Sequence, residues 1–233
     1  MERPEHRVAL STGEVWYHVR GEGRPVVHLH PGSGFCPTPV LDGLAASFTV
    51  YSPVAPGFDG TPLHAGVSSM RALAALTGEF IDTVVAANCD VVGYSFGGNQ
   101  AAWLALTRPE RVEHLVLEAP YIVLPDDGAQ ATGSAGVHRS AHHYERADAE
   151  LVAQLGTCDR PTLILQGTRD RIVPAASVQR LRRQMKSAFL VYVWDAAHPL
   201  ETEQPARVRG LIDGFLKRSE SFIVNWGTLA INP

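Results

Sequence analysis

With 233 residues, 45% of them hydrophobic and 19% charged, the chain has an ordinary globular composition and can bury a sizeable core without disulfides or metals. A net charge of −4 offers no basic surface to nucleic acid, and no apolar run reaches the roughly 18 residues needed to span a bilayer. The three cysteines, Cys36, Cys89 and Cys158, are odd in number and lack metal-ligand spacing. They argue against a disulfide framework and, with an N-terminal stretch that lacks the apolar segment of a secretory leader, for a cytoplasmic location.

Taken in chain order, Arg7 to Leu10 and Glu14 to Val19 alternate in polarity around Ser11-Thr12-Gly13 and read as a β-hairpin. Pro25 to His30 is a short apolar run that stops at Pro-Gly-Ser-Gly, as a buried strand entering a tight loop does. Phe48 to Pro53 is the next strand. Apolar residues at helical spacing from Ser68 to Ala87 predict a helix, with Ser68 as its N-cap. The pattern then becomes regular: strand Asp90 to Tyr94, helix Phe96 to Leu106 and strand Val112 to Glu118. After an interruption come strand Pro161 to Gln166, helix Ala175 to Met185, strand Phe189 to Trp194 and helix Pro205 to Lys217. Strands alternating with helices predict an α/β fold, a mostly parallel sheet built by right-handed crossovers, with the opening hairpin as an antiparallel edge. The interruption, about 40 residues without strand pattern, is more often functional than incidental. No repeat or domain boundary is visible, so residues 1–233 are expected to form one domain with an insertion at 120–157 and an apolar tail at 219–233.

The chemistry concentrates at the ends of the strands. Gly93-Tyr-Ser-Phe-Gly97 follows a strand and opens a helix, the setting of a nucleophile elbow. Ser95 is the expected nucleophile, and the flanking glycines are read as positions where a side chain would meet neighbouring backbone. A serine hydroxyl needs a base. Of the ten histidines, His198 lies on a loop directly after an apolar strand and before the last helix, on the rim where parallel sheets carry their sites. His28 and His30 come before the serine, on another strand end, and are expected to position the loop that follows them. Asp170, after the strand Thr162 to Gln166, is the expected orienter of the imidazole and completes the order Ser, Asp, His. Glu118 is the rival acid, and Asp195 is too near His198 in the chain. Oxyanion donors are expected from the N–H of Phe96 and from the loop Pro31-Gly-Ser-Gly34. Proline has no N–H, so Gly32 or Ser33 must donate, with Gly32 preferred.

Together, His30-Pro-Gly-Ser-Gly34, Ala55-Pro-Gly-Phe-Asp-Gly60, Gly93-Tyr-Ser-Phe-Gly-Gly98, Arg108-Pro-Glu-Arg-Val112, Gly167-Thr-Arg-Asp170 and Ala197-His-Pro199 resemble the α/β-hydrolase superfamily. The resemblance implies an eight-stranded sheet with helices on both faces, and a lid after the sixth strand, where the insertion falls. Two departures stand out: the oxyanion loop reads His-Pro-Gly where many relatives have His-Gly, and the lid is short. Cys36 and Tyr121 are candidate pocket residues, and Trp103 and Leu104 are read as core. His138, His142 and His143 with Glu145 suggest a metal set, but Arg139 stands where a metalloprotease helix needs glutamate. No metal or cofactor is expected, and the only expected partner is a small-molecule substrate; a homodimer is left open. The leading activity is hydrolysis of a small carboxylic ester, lactone or thioester through an acyl-serine. Cleavage of a C–C bond in a β-diketone or meta-cleavage product, cofactor-free perhydrolysis, and ligand reception with little turnover are the alternatives.

Overall fold

The computed structural model describes residues 6–122, 144 and 148–219. Most of the insertion at 120–157, with His138, His142, His143 and Glu145, and all of the tail beyond Ser219 lie outside the described residues.

Eight strands form one sheet: β1 (His6–Leu10), β2 (Gly13–Arg20), β3 (Arg24–Leu29), β4 (Phe48–Pro53), β5 (Cys89–Tyr94), β6 (Val112–Glu118), β7 (Thr162–Gly167) and β8 (Ala188–Val193). Their order is β1-β2-β4-β3-β5-β6-β7-β8. β2 runs antiparallel to β1 and to β4, and all other neighbours are parallel. The hairpin therefore supplies the antiparallel edge, as its alternation predicts. β5 and β7 are buried at every position, which requires cover on both faces of the sheet and explains their mostly apolar sequence. The one charge within β5, Asp90, pairs with Arg24 at 2.7 Å and shares a hydrogen bond with His114 at 2.7 Å.

The helices are α1 (Pro39–Leu44), α2 (Met70–Phe80), α3 (Phe96–Thr107), α4 (Ala149–Gln154), α5 (Ala175–Gln184), α6 (Leu200–Glu203) and α7 (Pro205–Arg218). α1, α6 and α7 pack on one another; α2, α3 and α4 form a second group, with α3 lying on β5 and β6. Phe96 through Ala105 are all buried, so α3 is a core helix rather than an amphipathic one. Trp103, 1% exposed, fills the layer, and its indole N–H donates to Asp148. Asp148 also caps α4 by accepting the Leu151 N–H at 3.0 Å.

Several boundaries differ from the expectations. The helix after β4 is capped by Ser69, whose hydroxyl accepts the Ala72 N–H, and not by Ser68. It ends at Phe80 and passes into a π-helical turn, Ile81–Val85, closed by the Ala86 N–H on the Ile81 carbonyl. β8 stops at Val193, which leaves Trp194 outside the ladder and 73% exposed. The short helices α1 and α6 have no counterpart among the expected elements.

Candidate active site

Ser95 stands between β5 and α3 with φ 53° and ψ −108°, a left-handed backbone that costs a non-glycine residue about 1–3 kcal/mol. The surrounding packing holds it there. Its N–H donates to the Glu118 carbonyl at 2.8 Å, and its own carbonyl accepts the N–H groups of Tyr121 (2.8 Å) and Gly98 (3.0 Å). The glycines around it are required by close approach. A Cβ on Gly93 would strike the Gly97 carbonyl and Ala101, and one on Gly97 would strike the carbonyls of Leu29 and His30. α3 can thus begin immediately after β5 only because its first turn lies flush against the end of β3.

Ser95 Oγ is 2.9 Å from His198 Nε2, and His198 Nδ1 is 2.9 Å from Asp170 Oδ2. Since the carboxylate can only accept, Nδ1 carries the proton and donates to Asp170, leaving the Nε2 lone pair for the serine hydroxyl. Burial alone would raise the Asp170 carboxyl. The His198 hydrogen bond and charge, with the backbone N–H groups of Val173 and Ile172, outweigh it and hold Asp170 below the usual carboxylate range. Those N–H groups reach Oδ1 at 3.0 and 2.8 Å, so both carboxylate oxygens are occupied.

The loops after β7 and β8 are stitched together. Arg169 N–H donates to the Ala196 carbonyl at 2.8 Å, and Ala197 N–H donates to Glu203 at 2.8 Å. Tyr94, beside the serine in the elbow, donates its hydroxyl to the His198 carbonyl at 2.8 Å. Asp195 pairs with Arg169 at 3.0 Å. The rival acid Glu118 is fully buried and lies against Glu201 and His28; it makes no hydrogen bond to the His198 imidazole, whose Nδ1 Asp170 occupies.

In the loop expected to supply oxyanion donors, the Gly34 N–H donates to the Pro31 carbonyl at 3.0 Å. Gly32 and Ser33 are the central residues of that turn, so the turn's own bond uses neither N–H. The Phe96 N–H belongs to the first turn of α3, where helix N–H groups have no partner within the helix. His30 organises this corner. Its Nε2 accepts the Ala55 N–H at 3.0 Å, so its Nδ1 must be the protonated nitrogen, and it donates to the Pro31 carbonyl at 2.7 Å. The Phe35 N–H, one residue past the turn, donates to Asp59 at 2.8 Å. His28 does not share the loop-positioning task expected of it: its ring binds Glu201.

Of the two pocket candidates, Tyr121 touches the site through its backbone bond to Ser95. Cys36 is exposed, with its thiol 3.7 Å from the Pro37 carbonyl. Behind the serine, Phe58, Phe96, His30 and Tyr144 form an aromatic cluster, with the Tyr144 hydroxyl on the Pro56 carbonyl. Sequence reasoning passed over Tyr94, Asp59 and Glu201. Asp59 had a visible signal, an acid between two glycines in Gly57-Phe-Asp-Gly60; Glu201 had only its place three residues after His198.

A family model described as "alpha/beta hydrolase fold" matches residues 25–131, and one described as "TAP-like protein" matches residues 140–221. Among curated proteins, the chain is 35% identical to a pimeloyl-[acyl-carrier protein] methyl ester esterase of Aeromonas salmonicida, over 76% of this chain and 89% of that protein. It is 24% identical to a 2-hydroxymuconate semialdehyde hydrolase of Pseudomonas putida, over 88% and 91%. Among solved structures, an enol-lactonase from Burkholderia xenovorans LB400 superposes with a TM-score of 0.76 at 19% identity, covering 91% of this chain and all of that one. The carboxylesterase CesB of Bacillus subtilis gives 0.75 at 18% identity, covering 93% and 92%.

Proposed function

Because the chain belongs to the α/β-hydrolase family, we propose that it is a serine hydrolase cleaving a small carboxylic ester, lactone or thioester through an acyl-Ser95 intermediate. The observation that carries this reading is the continuous relay of 2.9 Å contacts from Ser95 through His198 to Asp170. In the first half-reaction His198 Nε2 takes the Ser95 proton as Oγ attacks the substrate carbonyl. The N–H of Phe96, with Gly32 or Ser33, receives the oxyanion, and each such donor is worth about 10²–10³ in rate. His198 returns the proton to the departing oxygen or sulfur. In the second half-reaction His198 takes a proton from water, whose oxygen attacks the acyl carbon; the carboxylic acid leaves and Ser95 recovers its proton. Asp170 holds the imidazole tautomer and stabilises the imidazolium in both halves.

The likeness to a 2-hydroxymuconate semialdehyde hydrolase supports a second reading, in which the same residues break a C–C bond. The three free thiols support a reducing, cytoplasmic setting, and among the described residues no helix is long and apolar enough to cross a membrane.

The test is fluorophosphonate labelling of wild type and Ser95→Ala, followed by turnover on esters, lactones, thioesters and β-diketones. Labelling is expected in wild type and lost in Ser95→Ala, with turnover on an oxygen or sulfur ester. An unlabelled wild type would overturn the reading, turnover confined to diketones would favour the second, and labelling without turnover would point to a receptor.

A further inference from the structure

Three ionisable side chains from three separate elements meet out of reach of water. His28 on β3, Glu118 at the end of β6 and Glu201 on α6 are each no more than 2% exposed, and one polar atom of each lies within 4.8 Å of the others. No lysine or arginine is among them. His28 Nε2 is 3.2 Å from Glu201 Oε1, and the Thr38 hydroxyl donates to Glu201 Oε2 at 2.7 Å. Neither oxygen of Glu118 receives a hydrogen bond from any described donor, and His28 Nδ1 is likewise bare.

Two buried carboxylates at this separation cannot both be ionised, because each would be desolvated and would repel the other. A proton on Glu118 resolves the arrangement, since its carboxyl can then donate to Glu201. Burial and the Glu201 charge push Glu118 well above the ordinary glutamate value. Burial opposes ionisation of Glu201 too, but its hydrogen bonds and the neighbouring His28 overcome that and hold it low.

We propose that His28, Glu118 and Glu201 form a buried proton-sharing knot that fixes the segment carrying His198, with Glu118 holding the proton and Glu201 the charge. Glu201 lies one turn beyond His198. Its carboxylate, held by His28 of β3 and by the Thr38 hydroxyl at the N-terminus of α1, with Glu118 of β6 within 4.8 Å, ties that segment to the sheet. The Tyr94 hydroxyl clamps the His198 carbonyl from β5. Glu118 and Glu201 are positioning residues, since neither touches the reacting atoms. The role assigned to His198 rests on the proposed hydrolase reading; the knot itself does not.

The test has a readout for each. In wild type, difference infrared spectroscopy against Glu118→Gln at neutral pH is expected to show a buried protonated carboxyl band that the variant lacks. In turnover of a short-chain p-nitrophenyl ester, Glu118→Gln keeps kcat and the acid limb of kcat/KM, because its amide replaces the lost donor without changing charge. Glu201→Gln lowers kcat by about tenfold to 100-fold at similar KM, and moves the acid limb to lower pH because a negative charge near His198 is gone. The titratable groups facing the knot are His28, Glu118, Tyr94, Asp170 and His198, and apart from the substituted residue each side chain is kept in either variant. The proposal is overturned by absence of the band, by an acid limb that moves in Glu118→Gln, by unchanged kcat in Glu201→Gln, or by a stoichiometric divalent metal in the purified protein. Should Glu201→Gln not fold, the band and the Glu118→Gln profile decide the matter. Absent labelling by fluorophosphonate removes the hydrolase reading and leaves the infrared result standing.

Discussion

His198 is held by its ring, its carbonyl and its neighbours, and Asp170 is the grip on its Nδ1. With both Asp170 oxygens engaged, the carboxylate cannot rotate away, and Nδ1–H is the tautomer it enforces. Asp170→Asn can present its amide N–H₂ to Nδ1, which then favours the wrong tautomer and takes the Nε2 lone pair from Ser95. We expect kcat to fall by about 10²–10⁴-fold with KM little changed, read in steady-state kinetics beside an unchanged far-UV spectrum. A loss of only a few fold would mean that Asp170 is not the orienter. This residue was readable in the sequence because a short acidic loop after a strand, between the serine and the histidine, is a local signal. Glu201 was not readable: its partners His28 and Glu118 are 173 and 83 positions away, and nothing in Pro199-Leu-Glu-Thr reveals that its carboxyl faces inward.

At the scale of elements, the elbow depends on how closely α3 approaches the end of β3. Gly97→Ala places a methyl group on the Leu29 carbonyl. Backbone is the obstacle rather than a movable side chain, so α3 must lift or Ser95 must leave its strained geometry. Overpacking of this kind costs about 1–3 kcal/mol. The expected outcome is a lowered midpoint in thermal unfolding together with slow or absent fluorophosphonate labelling. A variant as stable and as reactive as wild type would show that the glycine is not needed. The long elements were legible because periodicity needs several turns or alternations to register. α1 and α6, with six and four residues, are too short for that, although Thr38-Pro39 carried a capping signal: the threonine hydroxyl accepts the Leu41 N–H and the proline occupies the first turn. The π-helical turn after α2 was hidden for the opposite reason, since its apolar spacing continues that of the helix.

For the molecule as a whole, strand order and the meeting of His28, Glu118 and Glu201 are set by packing across the sheet, which local sequence does not encode. That packing also makes the stability of the fold depend on protons. Asp170, held low in the folded state, contributes stability that is present above its unfolded value and is lost as the pH falls through its folded one. Glu118 acts in the reverse sense. Its folded value is raised, so the folded state binds a proton that the unfolded chain releases above about pH 4.3. Stability therefore declines as the pH rises from there toward the folded value, with a limiting slope of about 1.4 kcal/mol per pH unit for one linked proton. Other groups also titrate over this range, so the informative quantity is the difference between wild type and Glu118→Gln in urea unfolding at matched pH. Glutamine keeps the donor and carries no titrating proton. The variant is expected to gain on wild type progressively as the pH is raised from about 5 to about 8, above the ordinary carboxyl range. A difference that stays flat across that range would mean Glu118 is not the group carrying the proton.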